Sequence, residues 1–484
     1  MAAANNHIKI HEECKVSPNS ANQLSLPLTF LDVNWLRFHP VERIFFYPLP
    51  NSQSHPTFFF QNLVPKLKSS LSLALQHFLP IAGNIVWPSD SPKPIIQFNP
   101  NDDGVSLVLA QYDDDVVSFD KILEHNSPQE ASLSRSFVPH LESTDSFASI
   151  ISIQITFFPK SGFSIGISTH HAVLDGKSST MFIKAWSSIC KSFEEETQSS
   201  NLEPYLKPFL SREVIKDPNG FESVIINSWN RISTHFDECN VRSLKIMSNF
   251  FEPKVKDSLR VAFELTREDL EKLNKSVLSK WNNIEEGSQV QEKEQEQPKK
   301  LSTFVLTCAY VSVCIAKAKQ QSESNQKQKF CFGFAVDIRS RLDPPIPENY
   351  FGNCVTNQLI DTEPEDFTKE DGVVIVAKKI YSTIRKMDKG FLDGIDTLLS
   401  RYMDIIGEGI QGIGVAGSTR FGVYEIDFGF GRPAKVETTS VDRGITIGLT
   451  ESRDLKGGVE FGLVLDKNVM GFFHTIFHEG LCFD

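Results

Sequence analysis

Features that mark membrane and secreted proteins are missing from this chain of 484 residues. No run of roughly 18 or more apolar residues occurs, so the sequence predicts no membrane span. Residues 1–7 contain neither the basic segment nor the apolar segment of a secretory signal peptide. We therefore expect a cytoplasmic protein that does not enter a membrane.

Paired cysteines and excess positive charge are also missing. The eight cysteines are scattered and include no C-x-x-C pair, which indicates reduced, mostly buried thiols without disulfides or a zinc site. The formal net charge of −12 argues against nucleic acid as a partner. No internal repeat with a period of about 20–50 residues is apparent, so a solenoid is not indicated.

The chain does have ample material for a core. Its apolar content is 40%, with 38 phenylalanines, and its length favours two or three domains. A polar stretch with several prolines predicts a crossover linker at 199–222, between an N-terminal domain at 1–198 and a C-terminal domain at 223–484. Residues rich in Glu, Gln and Lys predict a disordered loop near 284–300.

The most informative segment is residues 170–176. Alternating apolar residues at 151–156, a turn signal at 159–162 and a second alternating run at 163–169 predict a β-hairpin. Its second strand delivers His170 and His171 into a turn that ends in glycine, and an imidazole can take and return a proton near neutral pH. The pattern therefore indicates acid–base chemistry.

Two other interpretations of the histidine pair remain open. A buried histidine is more often a core residue with satisfied hydrogen bonds than a catalytic group. A metal site is less favoured, because neighbouring residues of an extended chain point to opposite faces and do not easily share one ion. We therefore predict no bound metal.

A second motif, Asp-Phe-Gly-Phe-Gly, lies at residues 427–431 near the C-terminus. The mid-chain residues His171, Asp175 and Gly176 form the pattern H-x-x-x-D-G. The two motifs in this order make the chain resemble the plant BAHD acyl-CoA-dependent acyltransferases, and the match covers essentially the whole chain. One departure is Phe430, which stands where the family has tryptophan.

Three further segments resemble one clade of that family. They are residues 25–32, residues 302–310 and the Tyr-Phe-Gly-Asn-Cys sequence at 350–354. This clade acylates anthocyanins, flavonoids and other phenolic glycosides. The resemblance implies transfer of a malonyl group from malonyl-CoA to a sugar hydroxyl, the 6-position, of a flavonoid, isoflavonoid or other phenolic glucoside.

The resemblance also implies a fold. It is an α/β fold of mixed α+β type with two domains of similar core, each a mixed sheet with flanking helices, as in chloramphenicol acetyltransferase. A tunnel runs between the two domains. We expect a monomer that binds acyl-CoA as a co-substrate and holds no resident cofactor.

The family motif selects His171, four residues before Asp175, as the general base, and leaves His170 as a packing neighbour. Asp175 invites comparison with the acid of a catalytic triad, which would orient the imidazole. The resemblance implies instead that Asp175 turns away and pairs with Arg339, which locks the turn. Gly176 is expected to allow a tight turn.

The last motif is expected to be structural and distant from the reacting atoms. We predict that Asp427 accepts hydrogen bonds from the backbone of its own loop, in which Gly429 and Gly431 are the other motif residues. The replacement of tryptophan by Phe430 should be tolerated with some repacking.

Candidate CoA contacts begin at Lys300. Ser302, Thr303 and Thr307 follow on a predicted helix, and hydroxyl groups and a helix N-terminus beside lysines suit phosphate or pantetheine. Plain capping of the helix by Ser302 is an equally good interpretation.

Two residues are candidates for the acyl and acceptor pockets. Lys177 follows the His turn directly and would neutralise a malonyl carboxylate, although a solvated lysine is the more common case. Ser418, in a small-residue segment, would widen the acceptor pocket for a sugar. Two alternatives to malonyl transfer stay open, namely a hydroxycinnamoyl-CoA donor and a catalytically silent binding protein with the same fold.

Overall fold

A computed structural model describes residues 7–113, 117–193, 202–235, 240–247, 252–283, 297–322 and 329–482. The chain forms two compact units. The first contains Met1–Pro253, Asp337–Val355 and Phe421–Ser440, and the second contains Lys254–Val336, Thr356–Arg420 and Val441–Asp484. The predicted boundaries at 1–198 and 223–484 stay a prediction, since this division assigns two later segments to the first unit. Residues 284–296 of the predicted loop lie outside the described part.

The first unit is built on a six-stranded mixed sheet. Its strands lie side by side in the order Ile8–Val16, Val105–Tyr112, Ile151–Phe158, Gly162–Thr169, Val41–Pro48 and Lys435–Thr438. The second and third strands of this order run parallel, and the other neighbours are antiparallel. The last strand comes from far along the chain, which explains why residues 421–440 belong to this unit.

The predicted hairpin is present at the centre of that sheet. Ile151–Phe158 pairs with Gly162–Thr169, and Gly162 lies opposite Phe158. All residues of both strands are buried. The apolar alternation therefore does not mark one solvated face, because the polar positions are also buried. Two of them bind backbone: Gln154 donates to the Ser136 carbonyl and Ser168 to that of Pro139.

A smaller sheet and several helices complete the first unit. The small sheet has the strand order Leu24–Pro27, Ile95–Phe98, Asn84–Val86 and Phe147–Ser149, and a short strand lies at Gln129–Glu130. The α-helices are Phe30–Val33, Pro56–Phe58, Val64–His77, Phe119–Leu123, Ala131–Arg135, Gly176–Ser192 and Phe221–His235. A π-helical turn at Phe59–Leu63 leads directly into helix Val64–His77.

The second unit also contains a mixed sheet. Its strands lie in the order Val355–Thr362, Phe330–Asp337, Gln411–Gly417, Ile445–Glu451, Val459–Asp466 and Ser258–Leu265. The second to fourth strands run parallel, and the fourth to sixth run antiparallel. The helices are Arg267–Ser279, Thr303–Ser322, Pro364–Thr368, Gly372–Gly390, Leu398–Gly407 and Lys467–Glu479.

Local sequence explains where one helix of the second unit begins. The Thr266 hydroxyl accepts from the Asp269 backbone and the Asp269 carboxylate accepts from the Thr266 backbone, and these two bonds form a capping box. Helix Thr303–Ser322 is apolar around most of its surface and is buried accordingly. No helix among the described residues is long and apolar enough to cross a membrane.

Candidate active site

The site is built on the turn that follows strand Gly162–Thr169. The His170 amide donates to the Ile150 carbonyl at 2.8 Å, and the Val173 amide donates to the His170 carbonyl at 3.0 Å. The next helix begins at Gly176, because Asp175 is its N-cap.

His171 lies half-buried in this turn. Its ring stacks on the indole of Trp35, with 3.7 Å between ring centroids and 5° between ring planes. Burial lowers the pKa of His171 to about 4, against opposing contributions from its own carbonyl, the Asp175 charge and the Asn353 amide. The imidazole is therefore neutral at pH 7, which is the form that can accept a proton.

His170 is fully buried beside it and behaves as the packing neighbour that the sequence predicts. Its Nδ1 accepts from the Ala172 amide at 3.2 Å, so this nitrogen holds the turn. Burial and the neighbouring His171 lower the pKa of His170 to about 3.

The predicted ion pair between Asp175 and Arg339 is confirmed. One carboxylate oxygen of Asp175 lies 2.8 Å from Arg339 Nη2 and also accepts from the Cys354 amide at 3.1 Å. The other oxygen accepts from the Ser178 amide at 2.8 Å. Nδ1 of His171 has no hydrogen-bond partner among the described residues, so the triad-like arrangement through Nδ1 is absent there.

Gly176 is needed for a different reason from the one predicted. It is the first residue of a helix and its φ is not in the left-handed region, so no special turn requires glycine. A Cβ atom at Gly176 would lie 2.7 Å from the ring of Phe421. A side chain at residue 176 would therefore force this aromatic ring to move.

Four residues that bear on the turn were not predicted as site residues: Asp32, Trp35, Arg212 and Asn353. Asn353 Nδ2 donates to the carbonyl of His171 at 2.7 Å. The same nitrogen donates to the Asp32 carboxylate at 3.2 Å, and that carboxylate lies 3.5 Å from Arg212 Nη1. Segments 25–32 and 350–354 resemble one clade of the family, but their spacing along the chain does not predict that they contact each other.

Lys177 is engaged by acidic neighbours. Its ammonium contacts the Glu348 carboxylate and lies 3.8 Å from the Asp337 carboxylate, while 35% of its side chain remains exposed. The Lys177 hydrogen bond lowers the pKa of Glu348, although burial opposes it. A malonyl group that approaches Lys177 would compete with two carboxylates that are already there.

The predicted backbone bonds of Asp427 are confirmed. One carboxylate oxygen accepts from the amides of Gly429 at 2.8 Å and Gly431 at 2.9 Å. The other binds Lys191 at 2.8 Å. Burial raises the pKa of Asp427, but these donors outweigh it and lower the pKa overall. The Phe430 ring packs edge-on against Phe163, with 5.8 Å between centroids.

The candidate CoA contacts lie in the second unit and differ in exposure. Lys300 and Ser302 are exposed and Thr303 is half-buried at the helix start. The Ser302 hydroxyl accepts from the Val305 amide at 3.3 Å, so Ser302 caps the start of this helix. Thr307 is fully buried, and its hydroxyl has no partner among the described residues.

Ser418 also belongs to the second unit. It follows strand Gln411–Gly417 and is half-buried, and its hydroxyl accepts from the Arg420 amide at 3.2 Å. The bond fixes a local turn.

The family model of the Transferase family matches residues 7–479. The chain belongs to this family, that of the BAHD acyltransferases. It is 37% identical over 486 residues to malonyl-CoA:anthocyanidin 5-O-glucoside-6''-O-malonyltransferase of Arabidopsis thaliana, which covers 99% of this chain and 100% of that protein. It is 38% identical over 483 residues to phenolic glucoside malonyltransferase 1 of Arabidopsis thaliana, with 98% of both chains covered.

The fold of this BAHD protein is similar to solved structures as well. Vinorine synthase aligns with a TM-score of 0.62 over 96% of both chains at 20% sequence identity. Two units, each with a mixed sheet and helices, agree with the predicted α/β class, which is confirmed. The expected tunnel stays a prediction.

Proposed function

We propose that this enzyme transfers a malonyl group from malonyl-CoA to a sugar hydroxyl of a phenolic glucoside, with the 6-position as the acylated site. The observation that carries this proposal is the neutral His171, fixed at the end of a strand in a chain whose relatives are named malonyltransferases. The reaction takes place in the cytoplasm, on a monomer, without nucleic acid or a membrane as partner.

His171 acts as the general base. Because Nδ1 is buried, Nε2 takes the proton from the acceptor hydroxyl. The oxygen attacks the thioester carbonyl, the tetrahedral intermediate collapses, and the proton returns to the sulfur of CoA as the C–S bond breaks. A thioester is already activated, so no covalent enzyme intermediate is required.

Asp175 supports this chemistry without taking part in it. Its carboxylate binds the first turn of the helix, the Cys354 amide and Arg339, which together fix the course of the chain after His171. Removing one partner of a buried, hydrogen-bonded ion pair of this kind costs about 3–5 kcal/mol of stability. Arg339, Gly176, Asp427, Gly429 and Gly431 have structural roles in the same sense.

The residues that bind the acyl-CoA donor in this proposal differ in their exposure to solvent. Lys300, Ser302 and Thr303 are accessible and suit CoA phosphates or pantetheine, and Thr307 would take part only if the packing around its hydroxyl opens. Lys177 is the proposed partner of the malonyl carboxylate, and Ser418 leaves room for the acceptor.

Competition between malonyl-CoA and coumaroyl-CoA for a panel of phenolic glucosides tests the proposal. We expect malonyl-CoA to win, and product analysis by mass spectrometry identifies the acylated sugar. The His171→Ala variant is the control: it should fold, as judged by circular dichroism, and lose about 10²–10⁴-fold in thiol release. A preference of about tenfold or more in kcat/KM for coumaroyl-CoA, about 1.4 kcal/mol, would replace malonyl with the aromatic donor.

A further inference from the structure

The two clade segments at 25–32 and 350–354 meet directly beneath His171. The Asp32 carboxylate accepts from the backbone amide of Asn353 at 3.1 Å and from its Nδ2 at 3.2 Å. Nδ2 of Asn353 also donates to the carbonyl oxygen of His171 at 2.7 Å. An amide nitrogen carries two hydrogens, and these two acceptors use both. Asn353 therefore links Asp32 to the main chain of His171.

The Asp32 carboxylate, which accepts from Asn353, is held in place by further contacts. Asp32 is fully buried, and its second oxygen accepts from the Thr29 amide at 2.9 Å and the Thr29 hydroxyl at 2.8 Å. The guanidinium of Arg212, itself buried, lies 3.5 Å away and donates to the Tyr350 hydroxyl at 2.8 Å. Hydrogen bonds to an ionised acceptor are stronger than neutral ones, so Asp32 holds Asn353 firmly.

The segment around Asp32 touches His171 a second time. The Trp35 amide donates to the Asp32 carbonyl at 3.0 Å, and the Trp35 ring stacks on the imidazole. The ring of His171 and its main chain are thus positioned from the same place. A hydrogen bond at the carbonyl restrains the backbone that carries the ring, which the stacked contact alone does not do.

We propose that Asn353 is a positioning residue for the general base, which fixes the main chain of His171 through Asp32. This inference rests on the proposed role of His171. Side chains without an amide donor do not reproduce the link: alanine removes it, and aspartate has no hydrogen to donate to the carbonyl. Misplacement of a base by about 1 Å can cost about 10²-fold in rate.

The first test is Asn353→Ala in the full-length protein, assayed by thiol release from malonyl-CoA. We expect kcat to fall about 10–100-fold while the KM for malonyl-CoA stays within about twofold, because donor binding does not depend on the base. Asn349→Ala is the matched control. Asn349 also donates from Nδ2 to a backbone carbonyl, that of Lys207 at 2.8 Å, but has no bond to His171.

A swapped variant, Asp32→Asn with Asn353→Asp, separates positioning from simple stabilisation and preserves the net charge. It also provides the test if Asn353→Ala does not fold. The new amide at 32 can donate to the new carboxylate at 353, so one bond still joins the two segments. The amide at 32 no longer accepts from the backbone amide of residue 353 and no longer carries a charge beside Arg212. The carboxylate cannot donate to the His171 carbonyl. We expect the thermal midpoint to lie between those of Asn353→Ala and the parent, while kcat remains about 10-fold or more below that of the parent.

Recovery of kcat together with the thermal midpoint in the swapped variant would overturn the inference, because joining the segments would then be sufficient. A parental kcat in Asn353→Ala, alongside an inactive His171→Ala, would overturn the inference alone. Parental turnover by folded His171→Ala would overturn both this inference and the proposed role of His171.

Discussion

At the scale of single residues, the neutral imidazole of His171 and the ion pair behind it divide the work of the turn. Burial keeps the imidazole uncharged, while Asp175 binds Arg339 and two backbone amides. Binding a proton and holding the loop thus fall to different side chains. The two functions can be separated by mutation.

Asp175→Asn is expected to lower the stability of the fold as clearly as it lowers the rate. The variant removes the nearer and buried carboxylate beside Arg339 and leaves only the half-exposed Asp337, 3.2 Å from Nη1, which costs up to about 3–5 kcal/mol in unfolding free energy. Thermal or urea unfolding measures the loss. Glu271→Gln is the control, because the Arg267–Glu271 pair is exposed and should contribute little. A fully stable Asp175→Asn protein with strongly reduced kcat would instead favour a direct catalytic role.

Glu348→Gln is expected to improve the binding of a malonyl donor. Glu348 contacts the Lys177 ammonium, and neutralising it leaves more of that charge for the malonyl carboxylate. The KM for malonyl-CoA should fall about two- to fivefold, and that for acetyl-CoA, which lacks the carboxylate, should not. An equal change for both donors would remove Lys177 from donor recognition.

At the scale of elements, the loop at 427–431 is shaped by backbone conformation. Gly429 has φ +94° and Gly431 has φ +91°, a region that disfavours other residues. These conformations turn both amides toward Asp427, which accepts from each. The loop is therefore a structural element that needs glycine at both positions.

Gly431→Ala isolates the cost of that conformation. A Cβ atom at Gly431 meets nothing within 4 Å, so the expected loss of about 1–3 kcal/mol is backbone strain alone. Gly471→Ala is the matched control, since that position is equally open but lies inside helix Lys467–Glu479. The free energy of unfolding of Gly471→Ala should rise by about 0.5–1 kcal/mol. Equal effects of the two variants in thermal unfolding would contradict the strain argument.

At the scale of the whole molecule, buried neutral histidines make the stability depend on pH. The pKa values of His170 and His171 are lowered to about 3 and about 4, whereas an unfolded histidine titrates near 6.5. Below 6.5 the unfolded chain binds protons that the folded protein does not, so acid favours unfolding. The lost stability is recovered as the pH rises to about 6.5 and above.

The unfolding free energy should therefore fall between about pH 6.5 and 5, by up to about 1.4 kcal/mol per pH unit for each such histidine. Carboxylates contribute little in this window, because the ordinary pKa values of Asp and Glu are 3.8 and 4.5. Urea unfolding at several pH values measures the slope. His170→Asn should flatten it, because an amide does not titrate and its oxygen can accept the Ala172 bond. An unchanged slope would exclude His170 as a contributor.

Features that depend on local chemistry or on a motif could be predicted from the amino-acid sequence. The hairpin at 151–169, the helix at 64–77 and the capping box at Thr266 follow from periodicity and side-chain hydrogen bonding. The two motifs indicated the family, and the resemblance to that family predicted the Asp175–Arg339 ion pair and the structural role of the Asp427 loop. Polar positions in the hairpin were not recognisable as buried, because their partners come from other parts of the chain.

The surroundings of His171 could not be predicted in this way, because they depend on how distant segments pack. Trp35, Asp32 and Asn353 lie at least 130 residues from it along the chain, and no local pattern relates such positions. The same holds for Phe421, whose ring explains Gly176, and for the carboxylates that engage Lys177. Close approach and buried hydrogen bonding are set by how distant segments pack, whereas a turn or a cap is set by its own few residues.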